Sequence, residues 1–297
     1  LNAVNELTVA FLLALQQPPP PPATTVTFTT IDSYRFETGL DPGEGEVDLT
    51  LLKASGDLFH KFGPTDFLRV IGGVDYLHYG WSSDASFGPG LDDLPEDLYV
   101  LRLESTVIHA YDEHWSGVAY ASSYFQFEEG ADVFDGGAYS VAAGALYRFG
   151  PEFTLGALLR VLTRIEESPY VFIQPYFEWK PSPAWTVRME QREGFGVEAI
   201  YLLDEKGEWA LQSRMFYSER RFRLDEDAVR PEGVFEDARF TAVVAVRWQP
   251  RTGMSLAVGG GADLWQEFTL QDEGGHRGAE VESDPGALVG FYFTYTF

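Results

Sequence analysis

At 297 residues and without a single cysteine, the chain has no disulfides, no thiolate metal sites and no cysteine nucleophile. A net charge of -25, from 46 acidic against 21 basic residues, excludes nucleic acid as a partner, because neutralising phosphates needs clustered Lys and Arg. With a mean hydropathy of -0.15, 15% aromatic residues and 30 glycines, the chain is no bundle of apolar helices: beyond the N-terminus no run nears the roughly 18 apolar residues of a helical span, so any membrane crossing must be made by strands.

Residues 1–24 form a unit of their own. Leu1 to Leu15 is apolar and helix-compatible, with Asn2, Asn5 and Glu6 at its start; Gln16 and Gln17 follow, and Pro18 to Pro22 make a polyproline II spacer. Three readings stand: a signal-peptide remnant, which would lack the basic n-region; a helix that plugs a lumen or lies at a membrane interface; or an arm that docks on a protein partner. At about 3.1 Å per residue, the prolines would hold the helix roughly 15 Å from the first strand.

Residues 25–297 read as about fourteen period-two segments, and counts of twelve or sixteen also fit. The connections between them alternate in length. The short ones, at 62–66, 112–114, 150–152, 181–184, 204–207 and 250–253, carry turn residues such as Gly63-Pro64, Pro181-Ser-Pro183 and Thr252-Gly253. Aromatics flank them: Phe62, Phe67, Tyr111, Trp115, Phe149, Phe153, Trp179, Trp185, Trp209 and Trp248, with Phe297 at the same level, the pattern of a girdle at one membrane interface. The other connections, near 41–46, 82–97, 128–136, 165–168, 192–195, 223–237 and 271–285, are mostly longer and hold much of the acid, including Asp92, Asp93, Glu96, Asp97, Asp225, Glu226, Asp227, Asp272 and Glu273. The fold expected is all-β: a transmembrane, antiparallel, up-and-down barrel with acidic loops at one end and short turns at the other.

Strand faces follow from the alternation. Val171, Ile173, Pro175, Phe177 and Trp179 would face lipid, with Pro175 expected to mark a bulge or weak pairing. Phe240, Ala242, Val244, Val246 and Trp248 would also face out, as would Met254, Leu256, Val258, Gly260, Ala262 and Leu264, leaving Asp263 and Trp265 inside. Segments 47–61 and 115–127 are ambiguous in register. The inward set is rich in arginine: Arg148, Arg160, Arg164, Arg188, Arg192, Arg214, Arg220, Arg239 and Arg247, set against Glu178, Glu190, Glu198, Asp263 and Glu267. An Arg on the lipid side at mid-depth would cost roughly 2–4 kcal/mol, which supports placing these groups within. Two outcomes remain open: a polar pore that favours anions, or a lumen braced by ion pairs and conducting little.

Neither an enzymatic nor a metal site is expected. The histidines at 60, 78, 109, 114 and 276 are scattered without ligand spacing, and His78 near Ser82 and Asp84 is the one candidate catalytic cluster, set aside for its short spacing. The loop beginning at Asp225 has acids at the first, third and twelfth places of a calcium-loop template, Asp225, Asp227 and Glu236, but places Val229 and Arg230 at the fifth and sixth. Gly259-Gly-Gly261 lies inside an alternating segment and so marks a bend or a close side-chain approach, not a phosphate loop. Tyr76, Tyr79, Trp81, Phe125 and Phe127 could line a sugar or lipid site, but are expected in the outer aromatic girdle.

The chain ends on Gly290-Phe-Tyr-Phe-Thr-Tyr-Thr-Phe297, which aligns Phe291, Phe293, Tyr295 and Phe297 on one strand face. In water such a face is an aggregation hazard, whereas in a bilayer it meets lipid. These last residues resemble the C-terminal assembly signal of Gram-negative outer-membrane β-barrels, which ends in Phe with aromatic or apolar residues at alternate positions before it. The resemblance implies a bacterial outer-membrane location with both termini periplasmic, contact of the last strand with the barrel-assembly machinery, and contact of the outer face with the lipid bilayer and its outer-leaflet lipids. Fourteen-stranded members of that broad class include fatty-acid transporters with an N-terminal hatch and a monomeric porin; no hatch sequence is visible here, so lipid transport is not carried over. The functional expectation is a pore or passive channel for small polar, anionic solutes, needing no cofactor. Its rival is a sealed structural barrel that anchors an envelope complex through residues 1–24.

Overall fold

A computed structural model describes residues 24–41, 45–88, 91, 93–190 and 194–297, with only the backbone described at Glu190. The helix and polyproline arm expected over residues 1–24 therefore lie outside the described residues, apart from Thr24. Fifteen strands run in chain order: β1 Thr24–Asp41, β2 Glu46–Lys61, β3 Asp66–Trp81, β4 Asp97–Ala110, β5 Trp115–Glu128, β6 Gly137–Arg148, β7 Phe153–Arg164, β8 Glu167–Ser182, β9 Trp185–Glu190, β10 Phe195–Leu202, β11 Trp209–Arg223, β12 Val234–Arg251, β13 Met254–Gln271, β14 Arg277–Ser283 and β15 Gly286–Thr296. Each pairs antiparallel with its chain neighbours, and β14 and β15 together make one stave interrupted at Asp284-Pro285, so β13 pairs with both. Thirteen strands plus this divided one give fourteen staves. The cylinder closes where β1 pairs with β15 from Thr27↔Thr296 to Arg35↔Leu288 and with β14 at Leu40↔Ser283.

Closure follows from the alternation of side chains. Once the sheet curls shut, one face of the wall is outside, and it is largely apolar and bare: Ile173 is 70% exposed, with Leu103, Val141, Leu159, Val171 and Val258 also exposed. An apolar belt of this extent on a single chain is a lipid-facing surface. At the short-turn end the belt is bounded by exposed Phe62, Tyr111, Trp115, Phe149, Trp179, Trp185, Trp209, Trp248 and Phe297, with Phe153 half-buried among them, whereas Phe67, expected there, is buried inside because odd positions of β3 point inward. Trp209 stacks on Trp248 with centroids 5.8 Å apart, and Phe297 packs edge-on against Phe28 at 5.9 Å. Phe291, Phe293 and Tyr295 continue the outer face of β15 above it.

The turns are built locally. Thr252-Gly253 joins β12 to β13 as a two-residue hairpin with Gly253 at φ 84, a conformation side-chain-bearing residues resist. In the β4–β5 turn, backbone N–H groups of Trp115 and His114 both donate to Asp112 Oδ1 at 2.7 Å, holding its carboxyl below the usual carboxylate range. Side chains on Gly259 or Gly261 would collide with the carbonyl oxygens of Val244 and Ala242, so glycine permits the close β12–β13 approach there.

Several expectations change. Pro175 causes no shift of register: Ala157↔Pro175 lies inside an unbroken β7–β8 ladder, and the irregularity falls instead between Leu162 and Arg164. Towards the short turns β8 pairs with β9 at Glu178↔Arg188, Trp179↔Val187 and Ser182↔Trp185. The two ambiguous strands are settled by pairing: odd positions of β2, such as Leu49 and Asp57, and even positions of β5, such as Ser116 and Ser122, are the buried ones. Asp32 is unexpected on the outer face, exposed in mid-strand opposite Leu52 and Phe291. Carboxylates facing lipid are unfavourable, so Asp32→Leu should raise resistance to urea unfolding in lipid vesicles by about 1 kcal/mol. Unchanged or lowered stability would mean that Asp32 does not face hydrocarbon.

Candidate functional site

Ion pairs line the inner wall in layers, most of them between neighbouring strands or within one strand. At the short-turn end Arg69 forks onto Asp57, Nε to both oxygens at 3.0 and 3.1 Å, and Lys180 Nζ lies 2.8 Å from Glu178 Oε1. Above them Asp75 lies between Lys53 at 3.5 Å and Arg102 at 3.6 Å, and Glu104 accepts from Tyr124 at 2.9 Å and Tyr120 at 3.3 Å. Across the barrel, Arg188 Nε donates to Glu198 at 2.7 Å, with Arg214 on the other carboxylate oxygen at 4.0 Å. A higher layer centres on Asp237, which is fully buried and accepts from Arg239, from Tyr79 Oη at 2.6 Å and from Gln266 Nε2 at 2.7 Å. Asp263 joins it, 3.7 Å from Arg239 and 3.9 Å from Arg35, and accepts from Thr241 at 2.5 Å.

Over this layer the long-loop end is shut by an apolar core. Tyr79, Phe222, Phe235, Phe268, Leu77, Leu98 and Leu270 are fully buried there, joined by Ala85, Phe87 and Leu94 from the loop after β3. The rings of Phe235 and Phe268 stack at 5.6 Å and Trp81 meets Phe268 at 5.4 Å, while Trp81 Nε1 is satisfied by Pro95 O at 2.8 Å. Tyr79 and Trp81, expected in the outer girdle, are thus inside it, because odd positions of β3 point inward; Tyr76, at an even position, does lie outside, against Tyr99 at 5.4 Å.

The lumen is divided by β11. β10 begins at Phe195 opposite Tyr217, so above Tyr217 β11 has no neighbour on that side among the described residues until Arg223 pairs, in parallel, with Phe127 of β5. Its upper part therefore leaves the arc of β6–β10 and crosses the mouth, anchored where Asp225 N donates to Glu128 Oε2 at 2.9 Å. Two cavities result. One, of about 170 Å³, lies beneath the apolar core, bordered by Arg35, Lys53, Arg214, Arg239 and Asp263. The second, of about 290 Å³, is a crescent between the outer face of β11 and the inner faces of β3–β8, with Asp75, Arg102, Tyr124, Arg160, Phe172 and Glu219 on its walls. Three ion pairs clasp the tip of the β7–β8 hairpin onto β11 over this crescent: Arg164 to Glu219 at 2.7 Å, Glu167 to Arg221 at 2.5 Å, and Glu166 to Arg223.

Of the residues expected to line the lumen, Arg148, Arg160, Arg164, Arg188, Arg214, Arg220, Arg239, Arg247, Glu178, Glu198 and Asp263 occupy inner-face positions. Arg192 and the side chain of Glu190 lie outside the described residues. Glu267 and Trp265 are corrections: an extra residue in β13 between Thr241↔Asp263 and Phe240↔Trp265 inverts the alternation, turning both outward and Gln266 and Phe268 inward. Trp265 stacks on Tyr217 at 6.3 Å on that outer face. Unforeseen were Asp237, the inner charges of β1–β4, and the outer-face Glu219, Arg221 and Arg223. Charges at outer-face positions of β11, where lipid would forbid them, were the available signal for the last three. The suggested catalytic cluster does not assemble: Ser82 Oγ donates to Asp84 at 2.7 Å while His78 pairs with Asp97 at 2.9 Å.

A closed antiparallel cylinder with an apolar belt outside and paired charges within is the architecture of transmembrane β-barrels. Solved structures share it. A deltaS2 mutant of the TodX monoaromatic hydrocarbon channel, whose parent is the toluene transporter of Pseudomonas putida, matches with a TM-score of 0.50 at 8% identity over 95% of this chain and 93% of that one. An outer-membrane channel from Pseudomonas putida F1 matches at 0.48 and 10% identity, covering 95% and 97%, and a FadL homologue from Pseudomonas aeruginosa at 0.42 and 11%, covering 92% and 89%. At such identities the likeness is one of fold. No protein-family model matches the sequence, and no curated protein matches it at a significant level.

Proposed function

We propose that this chain is a bacterial outer-membrane β-barrel that passes small solutes passively through the crescent beside β11. The single observation that carries this reading is the division of the lumen: the axial route ends beneath an aromatic core, whereas among the described residues the crescent is covered by the ion-pair clasp of the β7–β8 hairpin. The outer-membrane assignment is supported by the lipid-facing belt, by the terminal aromatic strand suited to the barrel-assembly machinery, and by an even stave count that puts the start of β1 and the end of β15 beside the short turns, on the periplasmic side in this reading. The fold likeness to a hydrocarbon channel is compatible with passive transport. Anion preference does not come from the arginine wall as a whole, since Arg69, Arg188 and Arg239 are matched by carboxylates. In the crescent Arg102, Arg164 and Arg221 are matched likewise, by Asp75, Glu219 and Glu167, so any preference there would rest on Arg160.

Each pair of the clasp has a partly exposed carboxylate, and at about 0.2–1 kcal/mol for such a pair the clasp as a whole holds the crescent shut by about 0.6–3 kcal/mol. In planar bilayers the wild-type barrel should open intermittently, and the double variant Glu166→Gln/Glu167→Gln should raise open probability by roughly 3- to 30-fold. Raising salt from 0.1 to 1 M shortens the screening length from about 10 to about 3 Å and should favour opening of the wild type beyond the gain in bulk conductivity. Silence of both proteins at every salt would favour the sealed structural barrel, the reading the aromatic closure supports, with residues 1–24 as its arm for an envelope partner.

A further inference from the structure

The crescent holds a guanidinium that no carboxylate answers. Arg160 Nε donates to Ser140 Oγ at 2.6 Å and Nη1 reaches Gln174 Oε1 at 3.4 Å, while Nη2 makes no hydrogen bond among the described residues. The group is held by aromatic faces instead, with centroids of Tyr120 at 5.4 Å and Phe172 at 6.0 Å. This differs from the treatment of Arg69, Arg188 and Arg239, each closed by a carboxylate. It differs also from Arg164 on the same strand face, which stacks on Tyr170 at 4.7 Å but is neutralised by Glu219 and Glu167. From the clasp inward, the crescent thus runs from matched charge, through the apolar side chains of Val100, Leu162 and Phe172, to one unmatched positive fork.

We infer that the crescent binds a compact aromatic carboxylate, with the carboxylate on the Nη atoms of Arg160 and the ring against Phe172 and Leu162. This assignment rests on the crescent being the solute route. A guanidinium offers two parallel N–H groups to a carboxylate, which a phenol or a neutral hydrocarbon cannot use as well. The volume of about 290 Å³, at the lower edge of the roughly 300–1,000 Å³ span of ligand pockets, selects a single-ring molecule over a long-chain amphiphile. The flanking rings give the face of a flat ligand more contact than a simple carboxylate such as acetate could use.

The test is calorimetric titration of the full-length barrel in lipid nanodiscs with benzoate, benzamide and acetate, alongside benzoate flux into liposomes carrying the same protein. Benzoate is expected to bind at least tenfold more tightly than benzamide or acetate, and Arg160→Gln should remove most of that preference while leaving benzamide binding within about twofold. Arg160→Lys should keep part of the preference, because the charge remains but the fork is lost. Should Arg160→Gln fail to fold, judged by loss of heat-modifiable migration, the benzoate-to-benzamide ratio of the wild type decides the matter alone. Equal affinities for benzoate and benzamide, or an Arg160→Gln barrel that binds benzoate as the wild type does, overturn the assignment. The two readings fail separately: a barrel that passes small solutes but ignores benzoate loses the ligand and keeps the channel, whereas Arg160-dependent benzoate binding without flux keeps the ligand and loses the channel.

Discussion

Phe268→Ala is expected to destabilise the barrel by about 3–5 kcal/mol and to turn an axially closed mouth into a leak. Phe268 is fully buried and lies at the hub of the closure, with Phe235 stacked at 5.6 Å, Trp81 at 5.4 Å, Tyr79 at 5.9 Å and Phe87 at 6.0 Å. Its removal leaves a void walled by rings from strands held in register by the barrel, so the site has little freedom to collapse. Urea unfolding in lipid vesicles, followed by tryptophan fluorescence, reports the stability, with Trp81 as a local probe. Bilayer conductance reports the leak, which should persist at high salt because no ion pair gates it. A variant as stable and as tight as the parent would show that these aromatics form no packed seal.

Asp237→Asn carries the second large effect. The carboxylate is fully buried and is met by Arg239, Tyr79 and Gln266. Losing its charge strands Arg239 against Asp263 alone at 3.7 Å, and breaking a buried pair from one side costs about 3–5 kcal/mol, here toward the lower end because Asp263 remains. The double variant Asp237→Asn/Arg239→Gln should recover at least 1 kcal/mol relative to Asp237→Asn, since no uncompensated charge is then left. Unlike the clasp, this layer should respond little to salt, being remote from solvent. Additive losses in the double-variant cycle would sink the idea that the two groups act as a unit.

The two experiments separate layers that a residue list would merge. Apolar rings close the mouth, buried pairs brace the wall beneath, and a weaker set of half-exposed pairs covers the crescent. Only the last is expected to move at ordinary salt. Arg160 stands apart from all three, with hydrogen-bond donors facing open space.

Alternation by itself determined the class of fold and the identity of most inner-face arginines, because in a closed sheet period two is the whole difference between hydrocarbon and interior. The lengths of the connections and the aromatics beside the short ones likewise marked the two ends, and the terminal Phe placed the last strand. Tertiary structure decided what alternation cannot encode. One added residue in β13 turned Glu267 outward and Phe268 inward, since a bulge inverts every later position. The pairing of Arg223 with Phe127 joins strands remote in the chain and divides the lumen, an outcome not set by any pattern within β11. Whether an inward arginine is braced or left open depends on which side chain strand register sets beside it, Glu198 opposite Arg188 but Ser140 and Gln174 beside Arg160, and that register exists only once the strands have paired.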